Sequence, residues 1–200
     1  MKQEERSQET RQRILTAAES SFGEHGYDVS SVDAICRTAG VSKGAFYHHF
    51  PSKGSVFVAL LDTWLVQMDD GLRSAQKQGG TVPEQIAVMA DVVDDVYRLA
   101  GMNWNILLEF WAKAKTDPEI AGSMVAMLRR YQGFFEQILR QGEREGTIHT
   151  NDTSLAATLL LSVVLGMLLQ GILDPAGQEW GTTMKRSLNL FVKSINGGES

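Results

Sequence analysis

Lys43, Gly44, Tyr47 and His48 put an ammonium, a bare backbone, a phenol and an imidazole at positions i, i+1, i+4 and i+5. On a helix that spacing gathers them on one face. They supply hydrogen-bond donors, acceptors and a flat ring, and Gly44 allows close approach, which is the chemistry that reads base edges in a DNA groove. Ser31, Ser42 and Lys53 flank the set with two hydroxyls and a charge suited to phosphate oxygens. No acidic residue occurs from Ala34 to Leu61, whereas Arg37, Lys43 and Lys53 lie there with His48 and His49.

Charge elsewhere sharpens this reading by position. The 200-residue chain has 19 Lys+Arg and 24 Asp+Glu, a net charge of −5, so overall basicity does not argue for nucleic acid. Residues 1–55 hold seven bases and seven acids, which leaves the net negative charge in residues 56–200. A single cysteine excludes an internal disulfide framework and fits a reducing compartment. Cys36 reads as a small hydrophobe on an apolar helix face. The N-terminus, MKQEERSQETRQR, has no apolar signal region, so a cytoplasmic location is expected.

The elements that must position these side chains are two short helices and a turn. Val32, Ile35, Cys36 and Ala39 follow the i, i+3, i+4, i+7 spacing of one helix face, and Ser30 with Asp33 reads as a capping box. Gly40 is placed to stop that helix in the left-handed conformation. Ser42 is placed to cap the next helix, and Val41 with Phe46 can form a hydrophobic staple across its start. Phe50 precedes Pro51, which limits this second helix to about two turns. Ala45, Phe46 and His49 then face inward, and Lys43, Gly44, Tyr47 and His48 outward, where a recognition helix meets bases.

The rest of the chain reads as helical throughout. A first helix is expected from about Glu9 to His25, with Ile14, Ala17, Ala18, Ser21 and Phe22 inward and Gly26 as its stop. A fourth begins near Ser52 and carries Phe57, Leu60, Leu61, Trp64, Leu65 and Met68. After Gly79-Gly80, a fifth holds Ile86, Met89, Val93, Val96 and Ala100; a sixth, Trp104, Leu107, Leu108 and Trp111; a seventh, Ile120, Met124, Leu128, Tyr131, Phe135 and Ile138. The four prolines, Pro51, Pro83, Pro118 and Pro175, fall at helix starts or connections. About nine helices make an all-α fold, divided into a three-helix head at 1–56 and a larger domain at 57–200.

The run GYDVSSVDAICRTAGVSKGAFYHHFPSK, with ILTAAESSFGEHGY before it, resembles the DNA-binding domain of the TetR family of bacterial transcriptional regulators. The resemblance covers roughly residues 9–60. It joins the Phe-x-x-x-Gly-Tyr end of helix 1, Ala-Gly-Val-Ser at the turn, and Tyr-x-x-Phe-x-x-Lys leading into helix 4. Gly54 departs from the pattern, since such proteins commonly carry an acidic or other helix-favouring residue there. A weaker similarity to choline-responsive, BetI-like members of the family covers Trp104 to Pro175 and includes LLEFWAKAKTDPEI and GMLLQGILDP. The resemblance implies a homodimer on a double-stranded inverted-repeat operator.

Thr153 to Leu173 has no charged residue and is long enough to span a membrane. Its Thr, Ser, Gln and Gly residues, the lack of a positive flank and the DNA-reading head favour a helix buried against a second subunit. A helix at about 181–195, with Met184, Leu188, Phe191, Val192 and Ile195 on one face, would complete that interface. Trp64, Met68, Met89, Trp104, Trp111, Tyr131 and Phe135 could together line an adaptable apolar cavity. The effector expected there is small and largely apolar or aromatic, with a cation held over the Trp and Tyr faces as the alternative. A protein partner for the C-terminal domain is the second reading.

The motifs that would argue for catalysis are missing. There is no nucleophile elbow, phosphate-binding glycine loop or zincin motif, and no metal-ligand spacing or cofactor signature. Asp69-Asp70 and Asp94-Asp95 diverge on a helix and read as solvated face. The expected function is a ligand-responsive repressor, and not an enzyme.

Overall fold

The computed structural model describes residues 2–78, 80–99, 104–174 and 176–196; the side chains of residues 2, 93–99, 104 and 105 lie outside that description. Expectations for Gly79, Val93, Val96, Ala100, Pro175 and the side chain of Trp104 therefore fall outside the described residues. Among the described residues every regular element is a helix: α1 (Lys2–His25), α2 (Val32–Ala39), α3 (Lys43–His49), α4 (Lys53–Lys77), α5 (Val82–Leu99), α6 (Trp104–Lys113), α7 (Pro118–Glu145), α8 (Thr153–Leu173) and α9 (Trp180–Asn196). Two compact units result, Met1–Leu65 with Asn103–Val125, and Val66–Met102 with Ala126–Ser200. The first unit thus takes in α6 and the start of α7, which a division after residue 56 does not contain.

In the first unit α1 packs against α2, α3 and α6, and α2 against α3. Ile14, Leu15, Ala18 and Phe22 of α1 meet Ile35, Cys36 and Ala39 of α2 and Phe46 of α3 in a common core. α1 starts well before the expected Glu9: its first turns are polar and leave no apolar period to read, while Glu4 and Glu5 suit the positive end of the helix dipole. On α6 the buried pair is Ile106 and Phe110, whereas Leu107, Leu108 and Trp111 are half-buried, a correction to the expected face. Apolar residues occur all round this helix, so periodicity does not select a side. Phe110 stacks on Phe57 with ring centroids 3.8 Å apart and planes 8° from parallel. Phe57 in turn takes the edge of Phe22 at 5.2 Å and the ring of Tyr27 at 4.6 Å. This aromatic cluster fixes α6 against the start of α4 and the end of α1.

In the second unit α9 packs against both α5 and α8. Val82, Ile86, Met89 and Ala90 of α5, Met127, Tyr131, Phe135, Ile138 and Leu139 of α7, and Met184, Leu188 and Val192 of α9 are buried. Leu128, expected inward on α7, is 36% exposed. α8 is capped by Asp152, whose carboxylate accepts the Leu155 amide at 2.9 Å. It is long and apolar enough to cross a membrane by length and composition. Ala156, Ala157, Leu160 and Val164 are buried, while Leu155 and Leu159 stand exposed.

Candidate nucleic-acid interface

The turn between α2 and α3 is built from local signals. Gly40 ends α2 at φ 63°, ψ 40°, the left-handed region in which a side chain is strained, and its amide bonds back to the Arg37 carbonyl. Ser42 caps α3 by accepting the Ala45 amide at 3.1 Å. α3 then runs until Phe50, which is extended (φ −139°, ψ 116°) before Pro51. The α2 cap is Ser31, one residue beyond the expected Ser30: its hydroxyl accepts the Ala34 amide at 3.1 Å. Ser30 is buried instead, where its hydroxyl lies 2.9 Å from the Ser21 carbonyl and 2.8 Å from that of Gly26.

Five of the expected contact residues share the exposed side of this motif. Ser42, Lys43, Gly44, Tyr47 and His48 are all exposed, Tyr47 by 53%, and Phe46 between them is fully buried. Ser31 is exposed at the head of α2. Ala45 and His49 are half-buried. Burial lowers the His49 pKa, with His48 and Arg11 adding to the shift, so the neutral imidazole is favoured there. Lys43 is held by an ion pair to Asp33 at 2.6 Å, which keeps its ammonium charged and raises its pKa. Tyr47 lies edge-on to Phe46, with centroids 5.3 Å apart, so the buried ring sets the tilt of the exposed one.

Lys53, expected at a phosphate, is turned inward. Its Nζ donates to the carbonyls of Tyr27 at 2.6 Å and Ser30 at 2.9 Å, and sits 4.2 Å from the centre of the Tyr27 ring. Burial lowers its pKa, and the carboxylate of Asp28 works against that shift. Lys53 therefore ties the α1–α2 turn to the start of α4.

Three positioning residues escaped the sequence reading. Arg13 Nη2 donates to the carbonyls of Ala39 at 2.5 Å and Gly40 at 2.9 Å, satisfying the C-terminal end of α2 from the side of α1. Glu109 of α6 accepts the Tyr27 amide, and Lys113 pairs with Asp28 at 2.6 Å. That pairing holds the Asp28 carboxyl below its ordinary range. Local spacing does not single out Arg13, because Arg11 lies as close to the apolar stripe of Ile14, Ala17 and Ala18, and the α6 partners carry no local signal either.

The proposed cavity residues divide between the units. Trp64, buried, and Trp111, half-buried, belong to the first; Met68, half-buried, and Met89, Tyr131 and Phe135, all buried, belong to the second. Tyr131 also borders a cleft of about 320 Å³ between α4 and α7, with Asp69 and three arginines on its walls. Asp69 is not solvated face: its side chain is only 12% exposed, forms an ion pair with Arg130, and accepts the Tyr131 hydroxyl at 3.2 Å. Asp70, its neighbour, is exposed. Burial pushes the Tyr131 phenol up to about 12.

A head with a capped, glycine-broken helix pair and an exposed polar face on the second helix is a helix-turn-helix module. Residues 14–60 match the tetR family of bacterial regulatory proteins, and residues 101–188 match the C-terminal domain of BetI-type transcriptional repressors. The chain belongs to the TetR family, whose members are DNA-binding transcriptional regulators. It is 27% identical over 166 residues to the HTH-type transcriptional regulator UidR of Escherichia coli (strain K12), with 81% of each chain covered. The SmeT–triclosan complex is similar over 94% of this chain and 93% of that one, at 26% identity and a TM-score of 0.80. A transcriptional regulator from Saccharomonospora viridis in complex with choline shares the fold: 22% identity, 93% and 96% of the chains covered, TM-score 0.77.

Proposed function

We propose that the protein is a cytoplasmic, ligand-responsive repressor that binds an inverted-repeat operator as a homodimer and is released by a small molecule. The exposed face formed by Lys43, Gly44, Tyr47 and His48 carries this reading. Lys43 and His48 donate to base edges, the Tyr47 ring lies against base methyls, and Gly44 admits the groove wall. Ser31 and Ser42 each accept one amide, so their hydroxyl protons stay available to phosphate oxygens at two adjacent helix starts. Lys53 acts indirectly, by fixing the turn.

The dimer uses α8 and α9. Support comes from Leu155 and Leu159, 54% and 49% exposed on a helix that carries no charge, because soluble chains rarely leave such a stripe uncovered. The effector is small and largely apolar or aromatic in body, in keeping with Met89, Tyr131 and Phe135 in the core of the second unit. α4 contributes Lys53 to the first unit and Met68 to the second, and this shared element carries the coupling, of about 1–3 kcal/mol.

Gel shift at fixed salt, with DNA from the protein's own upstream region, tests the assignment. Lys43→Ala and Tyr47→Ala each abolish specific binding while the circular dichroism spectrum and melting temperature stay unchanged. Undiminished affinity in both variants removes the assignment.

A further inference from the structure

Arg73 of α4 and Arg129 and Arg130 of α7 face one cleft of about 320 Å³, and Asp69 is the one carboxylate on its walls. Asp69 is spent on Arg130 and on the Tyr131 hydroxyl. Arg73 and Arg129 have no carboxylate partner among the described residues. Two guanidiniums without a carboxylate partner therefore border one cleft in a chain whose net charge is −5. The cleft also has an apolar side: the Phe134 ring, half-buried and edge-on to Phe135 at 5.5 Å, stands beside the Tyr131 phenol. A volume of this size holds a ligand of one or two rings.

We propose that this α4–α7 cleft is a binding site for a small aromatic carboxylate. Arg73 and Arg129 grip its carboxylate from the two helices, and its ring lies against Phe134 and Tyr131. Guanidinium forks suit this head group because they meet both oxygens of a carboxylate in one plane. The Asp69–Arg130 pair holds the third arginine out of the grip, so the site keeps net positive charge and disfavours a cation. The site shares only Tyr131 with the buried core of Met89, Tyr131 and Phe135, and its existence does not depend on whether its ligand alters DNA affinity.

Titration calorimetry of the full-length protein with benzoate, inorganic phosphate and choline as probes tests the proposal directly. Benzoate binds, phosphate binds at least tenfold more weakly because it makes no use of the ring wall, and choline does not compete. Arg73→Ala and Arg129→Ala each weaken benzoate by about tenfold, the effect of one charge-assisted contact. Arg129→Lys, which keeps the charge and loses the fork, also weakens it. Both arginines are exposed, and an unchanged melting temperature in each variant confirms that the fold is intact. Three results overturn the proposal: no benzoate binding by the wild type at millimolar concentration, equal binding of benzoate and phosphate, or benzoate affinity indifferent to both arginines. If Arg73→Glu and Arg129→Glu break the dimer in sedimentation while the wild type ignores benzoate, the cleft faces an acidic protein surface, and the proposal falls.

Discussion

Glu109 Oε2 accepts the backbone N–H of Tyr27 at 2.7 Å, a bond across 82 positions of sequence that fastens α6 to the turn between α1 and α2. A charged acceptor on a backbone donor is among the stronger single contacts in a protein, worth about 1.5–3 kcal/mol. Glu109→Ala is therefore expected to lower stability by about that amount in urea denaturation, and to speed hydrogen exchange at the Tyr27 amide. Glu109→Gln, which keeps a carbonyl oxygen in reach, recovers part of the protection. Exchange at Tyr27 that ignores both substitutions would show that α6 does not hold the turn.

Gly54 accounts for its own departure from the family pattern. A Cβ placed there comes 3.3 Å from Glu119 Oε2 and 3.6 Å from Asp117 Oδ2, so the position faces two carboxylates at the start of α7. Gly54→Ala gains helix propensity of about 0.5–1 kcal/mol against a tight contact with a movable side chain, and is expected to be near neutral. Gly54→Glu adds a third carboxylate and destabilises, less so at high salt. Denaturation midpoints at two salt concentrations read the difference.

The raised pKa of Tyr131 gives a pH window. Its folded value, about 12, lies above the ordinary 10.0, so the stability it contributes is whole below pH 10 and is lost as pH rises through 12. Ionisation also removes the proton donated to Asp69. Burial, with Asp117, Asp28 and Glu119, raises the Tyr27 phenol as well, so at least two of the four tyrosines titrate late, Tyr131 after Tyr27, with alkaline unfolding over the same interval, when phenolate absorbance is followed against pH. Tyr131→Phe removes the last ionisation and leaves that of Tyr27 in place. A last step that survives the substitution assigns it elsewhere.

Phe110 is fully buried between the aromatic rings of the first unit. Phe110→Ala is expected to cost about 3–5 kcal/mol, the loss of transfer energy plus the cavity left behind. A cost below about 1 kcal/mol, measured by urea denaturation, would mean that the stack with Phe57 adds little.

Leu159→Glu tests the proposed α8 interface. Placed on an exposed apolar stripe, the new charge leaves each subunit folded and separates the dimer, shifting sedimentation to the monomer. DNA affinity falls with it, because each half-site loses the gain from linkage. A dimer that survives both Leu159→Glu and Leu155→Glu has its interface elsewhere.

The helix-turn-helix was legible because every instruction for it is local: Gly40 stops one helix, Ser42 starts the next, and Pro51 ends it. The exposed set on α3 follows from helical spacing alone. The α2 cap shifted by one because Ser30 and Ser31 are chemically alike, and only the burial of the first distinguishes them. The inward turn of Lys53 is illegible for a related reason, since a lysine at a phosphate and one capping a turn look the same until the carbonyls of Tyr27 and Ser30 are in place. Glu109 and Lys113 were illegible, being charges whose partners lie 82 and 85 positions away. Sequence alone predicts a solvated Asp69, because adjacent acids diverge on a helix, and Asp70 does; Arg130, brought alongside by α7, decides the other.

The ion pair between Lys43 and Asp33 has a consequence for the salt response of the proposed DNA contact. A free lysine meeting a nucleic acid gains from the small cations it displaces from the polyanion, and that gain fades as salt is added. In the proposed DNA contact, Lys43 brings a counterion already supplied by its own chain, and exchanges Asp33 for its new partner. Part of the electrostatic gain is cancelled by the release of a fixed carboxylate, and added salt weakens the old pair along with the new one. The logarithm of operator affinity should therefore fall with the logarithm of salt less steeply than a count of contacting cations implies, and Asp33→Asn should restore the steeper line.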